Sequence, residues 1–134
     1  MTEVKGTDQR IGPVDLTVPA SSAHLRILRL VSSSLGASVG LDIDQLDDLR
    51  IAVDELCSLL IEPAGSEEAQ LRVTLSGSGH HLVVEGALLP AVPGATIDPV
   101  SQLILDGLDV EWSIDGSSPS FRIVAPGRDK LESS

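Results

Sequence analysis

Apolar and polar residues alternate along Val14-Asp15-Leu16-Thr17-Val18, a period of two that predicts a half-buried strand stopped by Pro19. The period then lengthens. Leu25, Leu28, Val31 and Leu35 recur at spacings of three and four, which predicts a helix capped by Ser21 or Ser22, with Gly36 and Gly40 weakening its far end. Leu41-Asp42-Ile43-Asp44 reads as a link, with Asp44 as the expected cap of a second helix. In that helix Leu46, Leu49, Val53, Leu56, Cys57 and Leu60 form one apolar stripe. Asp47 and Asp48 fall in its first turn, where negative charge meets the positive end of the helix dipole. Pro63-Ala64-Gly65-Ser66 is the expected stop.

A period of two returns at Leu71, Val73 and Leu75 and again at Leu82-Val83-Val84-Glu85, with Gly77-Ser78-Gly79 between them as a hairpin signal. His80 and His81 stand at its mouth; neighbours on a strand point to opposite faces, so no metal site is expected there. Residues 86–99 carry Gly86, Pro90, Pro93, Gly94 and Pro99 and read as an irregular crossover, followed by a short helix over 100–108. Val110, Trp112 and Ile114 alternate, Asp115-Gly116-Ser117-Ser118 turns, and Phe121-Arg122-Ile123-Val124 returns as the last strand. This order predicts an α+β fold: a two-layer sandwich of one mixed sheet covered by helices on one face. The expected domain runs over 13–125, between flexible tails at 1–12 and 126–134.

Composition narrows the function. The chain has 134 residues, 42% of them apolar, which suits one domain with a core built from Leu, Val, Ile and Ala, because Trp112 and Phe121 are the only aromatics. A net charge of −11 excludes a nucleic-acid binder, which needs clustered Lys and Arg, and disfavours anionic membranes. It suits solubility or a basic partner. Asp42, Asp44, Asp47, Asp48, Asp54, Glu55, Glu62, Glu67 and Glu68 crowd one stretch in which Arg50 is the only cation. Cys57 is alone on the apolar stripe, so a packing role and no disulfide are expected. With no signal-peptide core and no apolar run of roughly 20 residues, the cytoplasm is the expected compartment.

The run Asp47-Asp48-Leu49-Arg50-Ile51-Ala52-Val53-Asp54-Glu55-Leu56-Cys57-Ser58-Leu59-Leu60-Ile61-Glu62 resembles the second helix of the anti-sigma-factor kinases, the RsbW-like branch of the Bergerat (GHKL) ATPase fold. The resemblance extends over residues 14–124 and is nearest to actinobacterial members. It implies a sandwich of the Bergerat type. It also implies a helix-borne Glu-x-x-x-Asn, the Glu acting on water or a hydroxyl and the Asn holding magnesium. Glu55 fits the first position; Leu59 stands at the second and offers no oxygen to a hard cation.

The family's two other nucleotide elements are also altered. An Asp-x-Gly-x-Gly loop is expected after the third strand, where this chain reads Glu85-Gly86-Ala87-Leu88-Leu89-Pro90-Ala91-Val92-Pro93-Gly94. A glycine-rich phosphate lid is expected next, where it reads Gly94-Ala95-Thr96-Ile97-Asp98-Pro99. The resemblance therefore implies a regulator that binds a sigma factor, a STAS-domain anti-anti-sigma factor, or both, as a homodimer without a cofactor. The alternatives are a divergent serine kinase using ATP and magnesium, or a non-catalytic dimerisation or sensor module. Glu55 is the single retained catalytic position, otherwise read as a helix acid pairing with Arg50 or Arg26. Counting back from Glu55 puts Arg29 where the family's first helix carries a partner-contacting arginine, with Arg26 one turn earlier; both are expected to be exposed partner-binding residues.

Overall fold

The computed structural model describes residues 10–64 and 68–127. The period-two segments pair into one five-stranded sheet, ordered β1-β2-β3-β5-β4. These are β1 (Arg10–Pro19), β2 (Gln70–Ser78), β3 (His81–Leu89), β4 (Glu111–Asp115) and β5 (Ser120–Ala125). The helices α1 (Leu25–Ser38), α2 (Ile43–Ile61) and α3 (Pro99–Asp106) complete the described chain, with one 3-10 turn over Ser22–His24 leading into α1. Alternation decides the layers. Leu71, Val73, Leu75, Leu82, Val84, Phe121 and Ile123 face inward and are buried, meeting Leu28, Leu49, Val53, Leu56, Cys57 and Leu60 of the helices. α1 packs on β2 and β3, α2 on β3 and β5, and α3 against α2. The α+β sandwich with helices on one face is thus the observed architecture.

Several details differ from the sequence reading. The sheet is antiparallel at every pairing rather than mixed. β3 and β4 do run in the same direction, but β5 lies between them, so no parallel pair forms. β1 starts at Arg10, ahead of the alternating run, and its ladder slips between Ile11 and Val14, where Gly12 takes a positive φ of 83°. The expected tail is therefore strand from residue 10, and residues 1–9 lie outside those described. At the other end Pro126 and Gly127 are still buried, Gly127 N–H donating to Asp109 O at 3.0 Å, while 128–134 lie outside.

The cap of α2 is Asp42, not Asp44. Asp42 accepts from Gln45 N–H at 2.8 Å and its own N–H donates to Gln45 Oε1 at 2.9 Å, a reciprocal pairing at the first turn. β3 continues through Gly86 to Leu89 instead of breaking at Gly86. A Cβ on Gly86 would collide with Phe121 Cε2, so the missing side chain makes room for the ring. α1 runs past Gly36 to Ser38, and the bare surface at Gly36 admits Leu46 and Leu49 of α2.

Candidate functional site

Asp54 and Glu55 are adjacent on α2, so their side chains diverge by about 100° around the helix. Asp54 turns to α1, where Arg29 Nη1 donates to both of its carboxylate oxygens at 2.7 and 2.8 Å. Arg29 is consequently half-buried rather than the exposed residue expected, because it bridges two helices. Arg26, one turn earlier, is exposed and makes no ion pair among the described residues. Arg50 pairs with Asp47 at 2.6 Å, so neither Arg50 nor Arg26 serves Glu55.

Glu55 instead borders a cleft of about 340 Å³ lined by Ser22, Glu55, Ser58, Leu59, Ile61, Glu62, Asp98 and Ser101. Three elements build it: the turn before α1, the C-terminal half of α2, and the start of α3. Glu62 stands seven residues after Glu55, two turns on and on the same face. Asp98 is held as the cap of α3, accepting from Ser101 N–H at 2.7 Å. Leu59, where the family carries its Asn, is only 7% exposed and lies at the apolar edge. The cleft thus has three carboxylates and three hydroxyls, with no cation and no glycine among its lining. Its charge favours a positive group and repels a phosphate. Among the described residues no three His, Cys, Asp or Glu side chains come together as a metal-binding group.

The crossover that ends at Asp98 is anchored to the core at three apolar residues. Ala95 is buried, Val92 and Ile97 pack against the core, and Gly94 N–H donates to Gly116 O at 3.3 Å, tying the crossover to the β4–β5 turn. A larger hollow of about 680 Å³ lies on the uncovered face of the sheet, among Arg72, Glu85 and Arg122. Its lining takes in Glu85, Gly86 and Ala87 from the start of the altered loop but neither Glu55 nor Leu59, and the Glu85–Arg122 pair across it is exposed. Cys57 is buried, and its thiol is pushed up to about 12, first by burial and then by the Asp54 charge, so it is no nucleophile.

A two-layer sandwich with a glutamate-bearing second helix bordering a cleft at the start of the third is a sandwich of the GHKL type. The chain is 32% identical to the anti-sigma-F factor RsbW of Mycobacterium tuberculosis (strain H37Rv), over 86% of this chain and 70% of that protein. It is 31% identical to the serine-protein kinase RsbW of Bacillus subtilis (strain 168), over 46% of this chain and 39% of that protein. A 25% match to the serine-protein kinase RsbW of Bacillus cereus (strain B4264) spans 45% of this chain and 38% of that protein. No family model matches. The chain belongs to the RsbW-like anti-sigma factors, as the α2 resemblance implied.

The sequence located Glu55 and Leu59 correctly on one helix, but it missed Asp54 as the partner of Arg29. It also missed Glu62 and Asp98 as cleft residues. The seven-residue spacing of Glu55 and Glu62 was the available signal for one of them; Asp98 reaches the cleft only through tertiary packing.

Proposed function

We propose that this chain holds a sigma factor by surface binding and releases it by partner exchange with a STAS-domain antagonist, without phosphoryl transfer. The observation that carries the reading is the acidic lining around Glu55. A triphosphate placed there would meet Glu55, Glu62 and Asp98, with no Lys or Arg, no glycine loop, and a leucine where a magnesium ligand is needed. The crossover supports the same conclusion, since Pro90 and Pro93 lack backbone N–H donors and Val92, Ala95 and Ile97 turn against the core. The cytoplasm and a homodimer complete the proposal; among the described residues no helix is long and apolar enough to cross a membrane.

The partner contact is assigned to α1, with Arg26 as its exposed cation and Arg29 set beside it by Asp54. The divergent kinase stays as the second reading because Glu55 does face a cleft; in that case ATP and magnesium are the cofactors. Thermal melting with Mg-ATP separates the two. A ligand at a hundred times its Kd adds about 2.7 kcal/mol of stability, several degrees for a domain of this size. The expected result is no shift at millimolar Mg-ATP, for the wild type and for Leu59→Asn alike. A shift would overturn the sequestration reading. Arg26→Glu should weaken sigma-factor capture by about tenfold with an unchanged melting temperature, as expected for an exposed interface arginine.

A further inference from the structure

α3 is apolar on both sides. Leu105 faces the core, yet Val100, Leu103 and Ile104 are 67%, 76% and 38% exposed at positions i, i+3 and i+4. Gln102 and Asp106 are the polar residues exposed on this helix, and the three adjoining branched side chains exceed the isolated exposed leucine of a normal surface. The stripe adjoins the acidic cleft, since Ser101 of the same helix lines it with Glu55, Glu62 and the capping Asp98. Asp106 marks the other end of α3, where it accepts from Trp112 Nε1 at 3.1 Å.

We infer that the outer stripe of α3 and the neighbouring cleft form one docking surface for a cationic amphipathic helix of a partner protein. Leu, Ile or Val along one edge of that helix would cover Val100 and Leu103, and a Lys or Arg beside them would enter the cleft between Glu55 and Glu62. The inference rests on the reading that this chain works by holding a protein partner, and it adds a second contact to the one on α1. Charge decides the occupant. A second copy would set Glu62, Asp98 and Asp106 against their own counterparts in a chain of net charge −11, and an anionic membrane would be repelled in the same way.

Trp112 is the only tryptophan and is bonded to α3, so its emission reports on this surface. The full chain is titrated with a tryptophan-free Leu/Lys peptide of about 18 residues, roughly five helical turns, with Leu at i, i+3, i+4 and i+7. A scrambled peptide of equal composition serves as the charge control. The expected result is saturable binding of the amphipathic peptide, about tenfold weaker for the scrambled one and about tenfold weaker for Leu103→Asp. Leu30→Asp, an equal charge change at a residue 65% exposed on α1, should bind as the wild type does. Equal binding of the two peptides, or wild-type binding by Leu103→Asp, overturns the docking surface. So does a wild-type dimer in sedimentation that Leu103→Asp converts to monomer. A chain that takes the peptide on α3 but captures no sigma factor overturns the sigma-factor reading and leaves the docking surface standing.

Discussion

Gly86 sits in mid-strand beneath the ring of Phe121, and the contact is a matter of volume. Gly86→Ala forces a methyl group against Cε2 and Cζ, which a buried ring cannot readily vacate, and should cost about 1–3 kcal/mol in urea denaturation. Phe121→Leu in the same chain should recover part of that loss. Cys57 answers to a different force. Burial and the Asp54 charge raise its thiol from the ordinary 9.0 to about 12, so the folded chain keeps a proton that the unfolded chain releases. That contribution is complete below pH 9.0 and falls away as pH climbs towards 12. Cys57→Ala should therefore show a shallower alkaline decline in stability, measured by urea denaturation from neutral pH to about 11. The Arg29–Asp54 bridge, over a third exposed on both sides, is worth about 0.5–1 kcal/mol, enough to orient Arg29 but not to hold the helices together.

Among the elements, α2 carries the site and its ends show how local chemistry is spent. Asp42 closes the first turn through Gln45, whereas Asp44 lies within the first turn and acts only through the dipole. Asp42→Ala should cost about 1 kcal/mol, and Asp44→Ala less than half of that, by chemical denaturation. The hairpin between β2 and β3 closes over Gly79-His80, later than the Gly77-Ser78-Gly79 signal suggested. Gly79 alone carries a positive φ, 61°, the pattern of a turn with glycine at its first central position. His80 then reaches back, its Nδ1 3.1 Å from Val39 O, and fills the space beside Gly40. At the other hairpin the Asp115 carboxylate accepts from the Ser117 hydroxyl and from the N–H groups of Ser117 and Ser118. These bonds favour its ionised form, with the hydroxyl foremost, and lower its pKa.

For the molecule as a whole, a net charge of −11 acts at a distance that no single contact does. It should speed encounter with a cationic partner, and salt should remove that advantage before it removes the apolar contact. Stopped-flow association with the Leu/Lys peptide should therefore slow by roughly tenfold or more between low salt and 0.5 M, with a much smaller change in dissociation rate. Equal salt effects on both rates would mean that charge, not the α3 stripe, retains the partner.

Periodicity was enough to place every helix and strand near its true position, because a stripe at three and four or an alternation at two can be buried in only one way. The family position of Glu55, and the leucine at Leu59 where an asparagine was due, were likewise legible in the linear string. Three things were not. Gly36, read as weakening its helix, and Gly86, read as opening the crossover, proved to be sites of close approach, since the residue that needs the room lies in another element. The direction of Asp54 towards Arg29 depends on how α1 lies across α2. The gathering of Glu55, Glu62 and Asp98 around one cleft, with an uncovered apolar stripe beside it, depends on where the crossover delivers α3. Local pattern encodes which face of an element is buried; which distant residue meets that face is decided only when the layers pack.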